Sequence, residues 1–484
     1  MSAGVPAVVI AAPASGSGKT TVATGLIGAL GRAGHRVAPF KVGPDYIDPG
    51  YHGLAAGRPG RNLDPVLVGA ERVVPLYQHG ARECDLAVVE GVMGLFDGRI
   101  DENHAGPVAE GSTAQVASLL GAPVVLVVDA RGHSQSLAAL LHGFATFDSS
   151  VRLGGVILNR VGSERHDQVL RAACDRVGLP VLGSLPRLAE LEVPSRHLGL
   201  IPAVEHGAAA TAAVSAMTDL VAAHVDLPAI AALARSTAAG PAWDPVAEAH
   251  ENGAGSPDVA AQAGADNSTG WNDTSSGPLI AMAGGPAFTF GYAEHRELLL
   301  AAGAQVAVFD PLLDELPGGT AGLVLPGGFP EEHAAELAAN TALLTAVAER
   351  AGRGMPVHAE CAGLLYLTRS LDGHPMAGVI DADAEFGPRL TLGYRDAVAL
   401  ADSPLWRAGE RVRGHEFHRT RLTTAAAGNP AWGWHGSDGT RVREGALVRQ
   451  VHASYLHTHP AGNPEATTRF VEVAAVYAGA RASR

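Results

Sequence analysis

Cys361 is the residue of this sequence with the clearest potential as a nucleophile. It lies in Val357–Leu365, directly after a strand-like apolar run and at the start of a predicted helix, with small residues around it. A sharp strand-to-helix turn of this kind exposes its central side chain, and the helix N-terminus is expected to lower the pKa of the thiol. Because most free cysteines are buried structural residues, a catalytic role also requires a base and an anion-stabilising group.

The sequence offers candidates for both of these further parts. Three histidines cluster late in the chain: His452, His457 and His459. One of them is expected to activate Cys361, while the others cap or pack. The segment Leu325–Glu331 follows another strand-like run, and the backbone N–H groups of Gly327 and Gly328 within it are predicted to form an oxyanion hole.

A glycine-rich loop predicts a phosphate site early in the chain. Ala12–Thr20 stands between a strand-like run and the helical segment Thr21–Arg32, as in nucleotide-binding P-loops. Lys19 would place its charge on the β- and γ-phosphates, and the Thr20 hydroxyl would bind Mg²⁺. Pro13 stands where the full pattern has glycine. The backbone N–H groups predicted to wrap the phosphates belong to Ser15, Gly16, Ser17 and Gly18.

Two carboxylates are candidate partners for that Mg²⁺, because the ion takes hard oxygen ligands beside substrate phosphates. Glu90 ends one strand-like run, and Asp45 follows another. Open α/β sheets bind ligands at the carboxyl ends of their strands, so both residues are expected at the phosphate site. Asp129 ends a third run, where capping a helix is the expected role.

The charge of the chain limits its partners. A formal net charge of −14 argues against nucleic acid as the main partner, since a phosphate backbone is held by clustered Lys and Arg. A local basic pocket for an anionic substrate remains compatible with it. Lys41, Arg58 and Arg61 could hold substrate carboxylates or phosphates, although isolated basic residues are more often surface charge.

Alternating apolar runs and helical segments predict two α/β domains. The 484 residues exceed one ordinary domain. Runs of Val, Ile and Leu recur from Ala7 to about Val221, as expected for a parallel sheet buried on both faces, and a second pattern starts at Leu279. An Ala-, Gly- and Ser-rich stretch separates them and predicts a flexible linker. The predicted boundaries are 1–232 for a P-loop domain, 233–277 for the linker and 278–484 for the second domain.

Composition and cysteine usage predict a cytoplasmic protein. Hydrophobic residues make up 47% and charged residues 17% of the chain, which is typical of a globular protein. Cys84, Cys174 and Cys361 are too few and too widely spaced for a disulfide framework or a zinc site. No apolar stretch is long enough to span a bilayer, and the run Ala7–Ala12 lacks the basic flank of a signal peptide. No membrane association is expected.

Taken together, these motifs resemble known families. The second half is similar to class I, triad-type glutamine amidotransferase domains, which implies a flavodoxin-like fold, and the first half to dethiobiotin synthetase-like P-loop ATPases. Their fusion closely resembles the cobyrinic and hydrogenobyrinic acid a,c-diamide synthases of cobalamin biosynthesis, over nearly the whole chain outside the linker. The resemblance rests on Lys41–Pro49, Arg61–Pro65, Glu90–Gly98, Leu158–His166, Arg389–Arg395 and Gly414–His418.

The resemblance implies roles for individual residues. Cys361 would form a glutamyl thioester, His457 would be its base, and Asn159 would contact adenine. The implied ligands of ATP and Mg²⁺ are Lys19, Thr20, Asp45 and Glu90. Besides Pro13, two positions depart from the pattern. Ala359 replaces a glycine common beside the nucleophile, and His459 replaces the triad carboxylate two residues beyond the histidine, which leaves a Cys–His dyad without an evident orienting group.

The implied reaction joins the two halves of the chain. A substrate carboxylate would take the γ-phosphoryl group of ATP to give an acyl phosphate, and ammonia released from L-glutamine would displace the phosphate. The ammonia must arrive unprotonated, so a route shielded from water is expected. The acceptor would be a corrin acid amidated at its a and c acetate side chains. Its many carboxylates make Lys41, Arg58, Arg61 and Arg165 candidate substrate ligands. The oligomeric state stays open, with a homodimer as one option.

Three other interpretations stay open at this level. Another ATP-dependent amidotransferase, such as cobyric acid synthase, would amidate different side chains, although Lys41–Asp48 favours the a,c-diamide enzymes. A partition-type ATPase switch would carry an extra lysine where Ala14 stands, and it would lack the cysteine turn. A binding module with an inactive glutaminase half is the third. The sequence does not separate a cobalt-containing corrin substrate from a cobalt-free one.

Overall fold

The computed structural model describes residues 4–100, 108–187, 195–196, 199–200, 202–252, 277–423, 429–436 and 438–482. The chain divides into two compact units, Met1–Trp243 and Asp244–Arg484. Each contains a largely parallel β-sheet with helices around it, which confirms the predicted α/β class. Within the ranges above, no helix is long and apolar enough to cross a membrane.

The first unit is built on a seven-stranded parallel sheet. Its strands are β1 Ala7–Ala11, β2 Val37–Val42, β3 Arg61–Leu63, β4 Leu86–Glu90, β5 Val124–Asp129, β6 Leu153–Val161 and β7 Val181–Pro186, in the order β3-β2-β4-β1-β5-β6-β7. A short pair, β8 Ser195–Arg196 and β9 Gly199–Leu200, lies outside this sheet. The helices are α1 Lys19–Arg32, α2 Asp48–Ala56, α3 Pro65–Val68, α4 Ala70–Gly80, α5 Thr113–Leu120, α6 Leu137–Thr146, α7 Glu164–Asp175, α8 Ala203–His206, α9 Ala208–His224 and α10 Leu227–Leu233.

The centre of this sheet positions the glycine-rich loop. All five residues of β1 are buried, because β1 lies between β4 and β5 and is covered by helices. Helix α1 packs so closely on α9 that a Cβ on Gly25 would lie 2.3 Å from the Met217 carbonyl oxygen, and one on Gly28 would lie 2.2 Å from Thr218 Oγ1. The strand order reverses around β1, so its carboxyl end is a point where doubly wound sheets bind ligands.

The second unit contains two sheets. Its strands are β10 Leu279–Ala283, β11 Gln305–Phe309, β12 Gly322–Leu325, β13 Val357–Glu360, β14 Ser370–Leu371, β15 His374–Pro375, β16 Asp383–Ala399, β17 Arg411–Leu422, β18 Trp432–His435, β19 Arg441–Glu444, β20 Ala446–Val448, β21 Val451–Ser454 and β22 His457–Thr458. Its helices are α11 Pro245–Asn252, α12 Ala293–Ala301, α13 Ala334–Ala339, α14 Thr341–Gly352, α15 Ala362–Leu367 and α16 Pro464–Ala482.

One of the two sheets is flavodoxin-like, as the resemblance implied. Five parallel strands follow the order β11-β10-β12-β13-β21, which is 2-1-3-4-5 in chain order, and β20 adds an antiparallel edge. Strands β12 and β13 are neighbours, so the turns that follow them lie at the same edge. In the second sheet, β17 pairs with β22 and sets His415 opposite His457. The two sheets therefore meet near the cysteine turn.

The structure differs from the predicted linker over its first part. Leu233 ends α10, and Arg235 exchanges backbone hydrogen bonds with Ala7 of β1 at 3.0 and 3.2 Å. Trp243 is buried, with its ring 4.9 Å from that of His79, and helix α11 contacts α12 and α16. Backbone pairing and one aromatic anchor hold residues 233–252, although their composition carries no periodic pattern. The remainder of the predicted linker, 253–276, lies outside the described residues.

Two candidate active sites

The glycine-rich loop has the backbone conformation that its glycines permit. Gly16 and Gly18 have φ angles of 79° and 96°, in the left-handed region that favours glycine. Ser17 Oγ donates a 2.9 Å hydrogen bond to the Ala14 carbonyl, and the 14-residue helix α1 begins directly at Lys19. The loop thus joins a buried strand to a helix N-terminus, which is the arrangement that binds phosphate. Pro13 does not prevent it.

The end of β6 supports this loop from one side. Asn159 Nδ2 donates to the Ser17 carbonyl at 2.9 Å, and a Cβ on Gly18 would lie 2.2 Å from that nitrogen. Arg160 donates to the Gly16 carbonyl at 2.9 Å and pairs with Asp129 at 2.6 Å. Asp129 therefore anchors arginines near the loop and does not cap α6, which begins at Leu137. The adenine contact of Asn159 stays a prediction.

A buried cluster of opposite charges lies beside the loop. Lys41 Nζ lies 2.6 Å from Asp48 Oδ2 and 2.9 Å from Glu90 Oε1. The Thr20 hydroxyl lies 2.7 Å from the same Glu90 oxygen and 3.1 Å from Asp48 Oδ2. On the other side, His52 Nε2 lies 2.7 Å from Glu90 Oε2. The sequence prediction that Thr20 and Glu90 share a site agrees with this geometry.

The charged groups of the cluster shift one another's pKa values. Burial alone would lower the pKa of Lys41, but the Asp48 and Glu90 carboxylates outweigh it and raise that pKa above its usual value. Burial and the neighbouring Asp45 raise the pKa of Asp48 to about 7. Burial would also raise the pKa of Glu90, yet Lys41 and His52 hold it well below its usual value. Glu90 is therefore ionised at neutral pH, and Asp48 is the more readily protonated of the two carboxylates.

Asp45 and Asp48 occupy different positions relative to Thr20, and the predicted metal role of Asp45 stays a prediction. Asp45 Oδ1 accepts hydrogen bonds from the backbone N–H groups of Ile47 and Asp48, at 2.8 and 3.0 Å, and so fixes the start of α2. Asp48, in the first turn of that helix, is the carboxylate that reaches Thr20. The signal that could have found it is the Asp-x-x-Asp spacing, in which the first aspartate caps the turn carrying the second.

The donor set suits Mg²⁺. A threonine hydroxyl and two carboxylates, those of Thr20, Asp48 and Glu90, lie next to the phosphate loop. Among the described residues, no group of three His, Cys, Asp or Glu side chains could hold a metal ion by itself. Mg²⁺ next to a phosphate loop commonly takes the rest of its coordination from substrate phosphates and water.

The predicted substrate ligands do not all lie near this site. Lys41 belongs to the buried cluster, and Arg165 is exposed in the first turn of α7, at the same edge of the sheet. Arg58 instead contacts Cys84 Sγ and donates to the Gly80 carbonyl at 3.2 Å. Because Cys84 precedes the start of β4, Arg58 lies at the opposite edge. Arg61, at the start of β3, has its side chain beside Gly80.

Replacing Lys41 with methionine is expected to destabilise the first unit by about 3–5 kcal/mol, because it leaves two buried carboxylates without their cation. A denaturant titration followed by circular dichroism measures the change. The matched control is Arg131→Met, which removes an exposed ion pair with Asp129 and is expected to cost at most about 1 kcal/mol. Equal stability of both variants would contradict the charge-holding role of Lys41.

The predicted cysteine turn is present in the second unit. Cys361 has φ 48° and ψ −96°, a left-handed conformation that is strained for a residue with a Cβ. Its backbone N–H donates to the Ser454 carbonyl at 2.7 Å, which fixes the turn against β21. A Cβ on Gly363 would lie 2.2 Å from the Leu325 carbonyl oxygen, so α15 packs directly over the end of β12. Ala359 is accommodated within β13.

The electrostatics of the thiol correct one expectation from the sequence. Cys361 is 2% exposed, and burial raises the pKa of its thiol, with the carboxylates of Glu331, Glu360 and Glu416 adding to the effect. The backbone N–H of Ala362 lowers that pKa, but the six-residue helix α15 does not outweigh burial and three negative charges. The thiol is therefore protonated at rest and depends on a base for activation.

The three clustered histidines have separate positions. His457 is fully buried, and its Nδ1 lies 3.7 Å from Glu360 Oε2. His459 Nδ1 accepts from the Ala461 N–H at 3.2 Å and so caps the following turn. The ring of His452 packs 5.2 Å from that of Trp432. Its location beside the cysteine turn makes His457 the candidate base, while the other two cap and pack.

Gly327 and Gly328 lie so close to neighbouring atoms that neither position has room for a side chain. A Cβ on Gly327 would lie 2.3 Å from His457 Cε1, and one on Gly328 would lie 2.1 Å from the Ala287 carbonyl oxygen. The Gly327 carbonyl accepts from the Phe290 N–H at 3.0 Å. The turn after β12 therefore packs against the candidate base, at the edge where Cys361 lies. The oxyanion role of the pair stays a prediction.

His452 is expected to make the second unit sensitive to acid. Burial and the neighbouring His358 lower its pKa from 6.5 to about 3. A lowered histidine pKa means that the contribution to stability is complete above pH 6.5 and is lost as the pH falls toward 3. At about pH 5 the loss is about 2 kcal/mol. Urea titrations followed by tryptophan fluorescence can report it, since Trp406 and Trp432 lie in this core.

The control for that titration is internal to the unit. The His452→Gln variant should lose about 2 kcal/mol less free energy of unfolding than wild type between about pH 7.5 and pH 5. His435 is an exposed histidine in β18, so His435→Gln should retain the wild-type pH dependence. Identical pH dependence in all three proteins would show that His452 takes up a proton while folded.

Comparisons with known proteins match both halves of the chain. A CobQ/CobB/MinD/ParA nucleotide binding domain matches residues 8–201, and a CobB/CobQ-like glutamine amidotransferase domain matches residues 279–464. Hydrogenobyrinate a,c-diamide synthases of Mycobacterium tuberculosis and Streptomyces coelicolor are 61% and 58% identical to the chain, over 97% of it and over 98% and 97% of their own lengths. The cobyrinate a,c-diamide synthase of Gloeobacter violaceus is 41% identical over 96% of both chains.

The chain belongs to the a,c-diamide synthase family. This a,c-diamide synthase family member carries its nucleotide-binding domain before its glutamine amidotransferase domain, in the order that the sequence predicted. Membership of this family confirms the prediction that the protein is an amidating ligase. A partition-type ATPase switch does not account for the second domain, which covers residues 279–464.

Proposed function

We propose that this protein converts the a and c acetate carboxylates of a corrin acid to amides, with ATP as the activating substrate and L-glutamine as the nitrogen donor. The observation that carries the proposal is the presence, in one chain, of a phosphate loop beside a buried carboxylate cluster and of a strained cysteine turn beside a buried histidine. Activation of a carboxylate requires the first site, and release of ammonia from an amide requires the second.

At the first site, the protein's own groups bind and orient ATP. The loop N–H groups and the N-terminus of α1 hold the phosphates, and Lys19 neutralises charge on the transferred phosphoryl group. Burial and the nearby Lys41 lower the pKa of Lys19. Thr20, Asp48 and Glu90 would hold Mg²⁺, which, when bound, supplies positive charge to the β- and γ-phosphates. The corrin carboxylate attacks the γ-phosphate, and the acyl phosphate that forms has a good leaving group.

At the second site, Cys361 attacks the side-chain amide of glutamine. His457 takes the thiol proton and returns it to the departing ammonia, and water then hydrolyses the glutamyl thioester. The N–H groups of the turn after β12 are proposed to stabilise the oxyanion. Burial of the thiol at 2% exposure supports this division of labour, because a protonated cysteine needs the histidine as its base.

The cobalt-free ring is the proposed substrate. The relatives at 61% and 58% identity are named for hydrogenobyrinate, whereas the relative at 41% is named for cobyrinate. Lys41 and Arg165, at the carboxyl edge of the first sheet, are the proposed contacts for its carboxylates. ATP, glutamine and a biosynthetic corrin acid are metabolites of the cytoplasm, where we expect the enzyme to work.

Initial rates with hydrogenobyrinic acid and with cobyrinic acid test this proposal. Each ring is incubated with Mg-ATP and glutamine, and tandem mass spectrometry locates the new amides. The proposal predicts two amides, at the a and c positions, with the higher kcat/KM for hydrogenobyrinic acid. Amides at other positions would favour a cobyric acid synthase activity. Intact glutaminase activity without any corrin amide would remove the corrin substrate from the account.

A further inference from the structure

We infer that Glu360, the residue directly before the cysteine, is the positioning residue that orients His457 for proton transfer. The inference rests on the proposed function, because it gives His457 the role of base for Cys361. It answers the question left by His459, which stands where a triad carboxylate is found two residues beyond the histidine. The carboxylate in this protein comes from a different strand.

Two strands bring Glu360 and His457 together. Glu360 ends β13 opposite Ser454 of β21, and the chain returns through β22, which begins at His457. The Cys361 N–H to Ser454 carbonyl bond, 2.7 Å long, fixes the two segments next to the nucleophile. Consequently one strand end carries both the nucleophile and the carboxylate, while the opposite segment carries the base.

The carboxylate is held in a single orientation. Glu360 Oε1 accepts hydrogen bonds from both the backbone N–H and the hydroxyl of Thr458, at 3.0 and 2.8 Å. That leaves Oε2 directed toward His457, whose Nδ1 is 3.7 Å away. Catalytic hydrogen bonds are often long before substrate binds, so a small closure of the site would complete this contact.

The tautomer of His457 follows from this arrangement. A carboxylate facing Nδ1 favours the imidazole with its proton on Nδ1, and the other nitrogen is then the acceptor for the thiol proton. When that proton has moved, Glu360 stabilises the imidazolium. Without the carboxylate, either nitrogen could carry the proton, and only one of the two forms can act as a base toward Cys361.

Other groups facing Glu360 keep it ionised. His358, on the same face of β13, has its Nε2 at 3.3 Å from Oε1. Burial alone would raise the pKa of Glu360, but His358 and His457 hold it well below its usual range. A cavity of about 30 Å³ borders the carboxylate and is also lined by His295, His459 and Thr458. The carboxylate of Glu360 therefore has histidine and threonine side chains from more than one element around it.

A direct effect of the Glu360 charge on Cys361 would hinder formation of the thiolate, whereas the effect through His457 would promote it. Its negative charge raises the pKa of Cys361, so removing the charge would make the thiolate easier to form. Acting through His457, the same residue promotes thiol activation. The two effects predict opposite outcomes for one substitution, which makes the inference testable.

The decisive variant is Glu360→Gln, which keeps the shape and can still accept the Thr458 hydrogen bonds. Its amide NH₂ would face Nδ1 of His457 and favour the wrong tautomer. We expect glutaminase kcat to fall by about 10²–10⁴-fold with KM nearly unchanged, and the rate of Cys361 alkylation at neutral pH to fall as well. Glu360→Asp should recover part of the lost kcat, because it restores a carboxylate.

Matched controls separate this role from packing and from the proposed function. Glu349→Gln, an exposed glutamate paired with Arg353, should retain wild-type glutaminase activity. Ammonia-dependent corrin amidation should be unchanged in every variant. If the wild-type protein does not catalyse it, the proposed corrin reaction is wrong. The glutaminase assays would still decide the role of Glu360 in that case. Faster alkylation of Cys361 in Glu360→Gln would overturn the inference. So would a Glu360→Asp variant whose glutaminase kcat is no higher than that of Glu360→Gln, with KM raised in both.

Discussion

Replacing Cys361 with alanine is expected to abolish glutamine-dependent amidation while leaving ammonia-dependent amidation close to wild type. In the proposed mechanism the thiol is the nucleophile that forms the covalent bond to glutamine, so glutaminase activity should fall by at least about 10³-fold. The proposed activation site lies in the other compact unit, around Lys19 and Glu90, and its proposed chemistry does not require the thiol. Parallel assays with glutamine and with ammonium chloride as nitrogen donors measure both effects.

The control for this variant is another buried cysteine. Cys174 lies in α7 of the first unit and is fully buried. Cys174→Ala should retain both activities, apart from a modest loss of stability from the smaller side chain. Glutaminase activity that survives in Cys361→Ala would contradict the assignment of the nucleophile, and loss of both activities would indicate that the turn is needed for folding.

The complementary variant is Lys19→Met, which is expected to lose amidation with both nitrogen donors. Lys19 is the proposed point charge of the phosphate loop, and loss of one such group from a phosphoryl-transfer site costs about 10²–10³-fold in rate. Basal glutaminase activity should remain, since Cys361 and His457 lie in the second unit. Methionine preserves most of the volume of this 8% exposed side chain, so folding should be retained.

A residue at the other end of the same helix provides the matched control. Arg32 ends α1 and pairs with Asp219 at the surface, and Arg32→Met should leave amidation unchanged. Wild-type amidation rates in Lys19→Met with either donor would contradict phosphate binding by this loop. Loss of glutaminase activity in the same variant would show that the two sites are coupled in the absence of corrin substrate.

The parts of these sites that the sequence predicted are those encoded by neighbouring residues. The phosphate loop and the cysteine turn each combine an apolar strand, small residues and a following helix within about ten positions. The structure places Thr20 against Glu90 and His457 beside the cysteine turn, as predicted. The alternation of apolar runs and helices predicted parallel α/β sheets, whereas the 2-1-3-4-5 strand order was implied by the family resemblance.

The parts that the sequence did not predict depend on contacts between distant residues. Glu360 is held by Thr458, which is 98 positions away, and no local pattern distinguishes it from an ordinary strand-end glutamate. The sequence singled out Asp45 and not Asp48, because only the folded turn shows which carboxylate accepts the backbone N–H groups at the start of α2 and which reaches Thr20. The expected lowering of the thiol pKa was also wrong, because the direction of the shift depends on the burial of Cys361 and on the glutamates around it.

The most direct test of the whole account follows nitrogen from glutamine to the corrin product. The enzyme is incubated with Mg-ATP, hydrogenobyrinic acid and glutamine labelled with ¹⁵N in its side-chain amide, and the product is analysed by tandem mass spectrometry. The account predicts a diamide that carries one ¹⁵N at each of the a and c positions, formed only when ATP is present. An unlabelled diamide, or labelled ammonia released with no amide on the corrin, would contradict it.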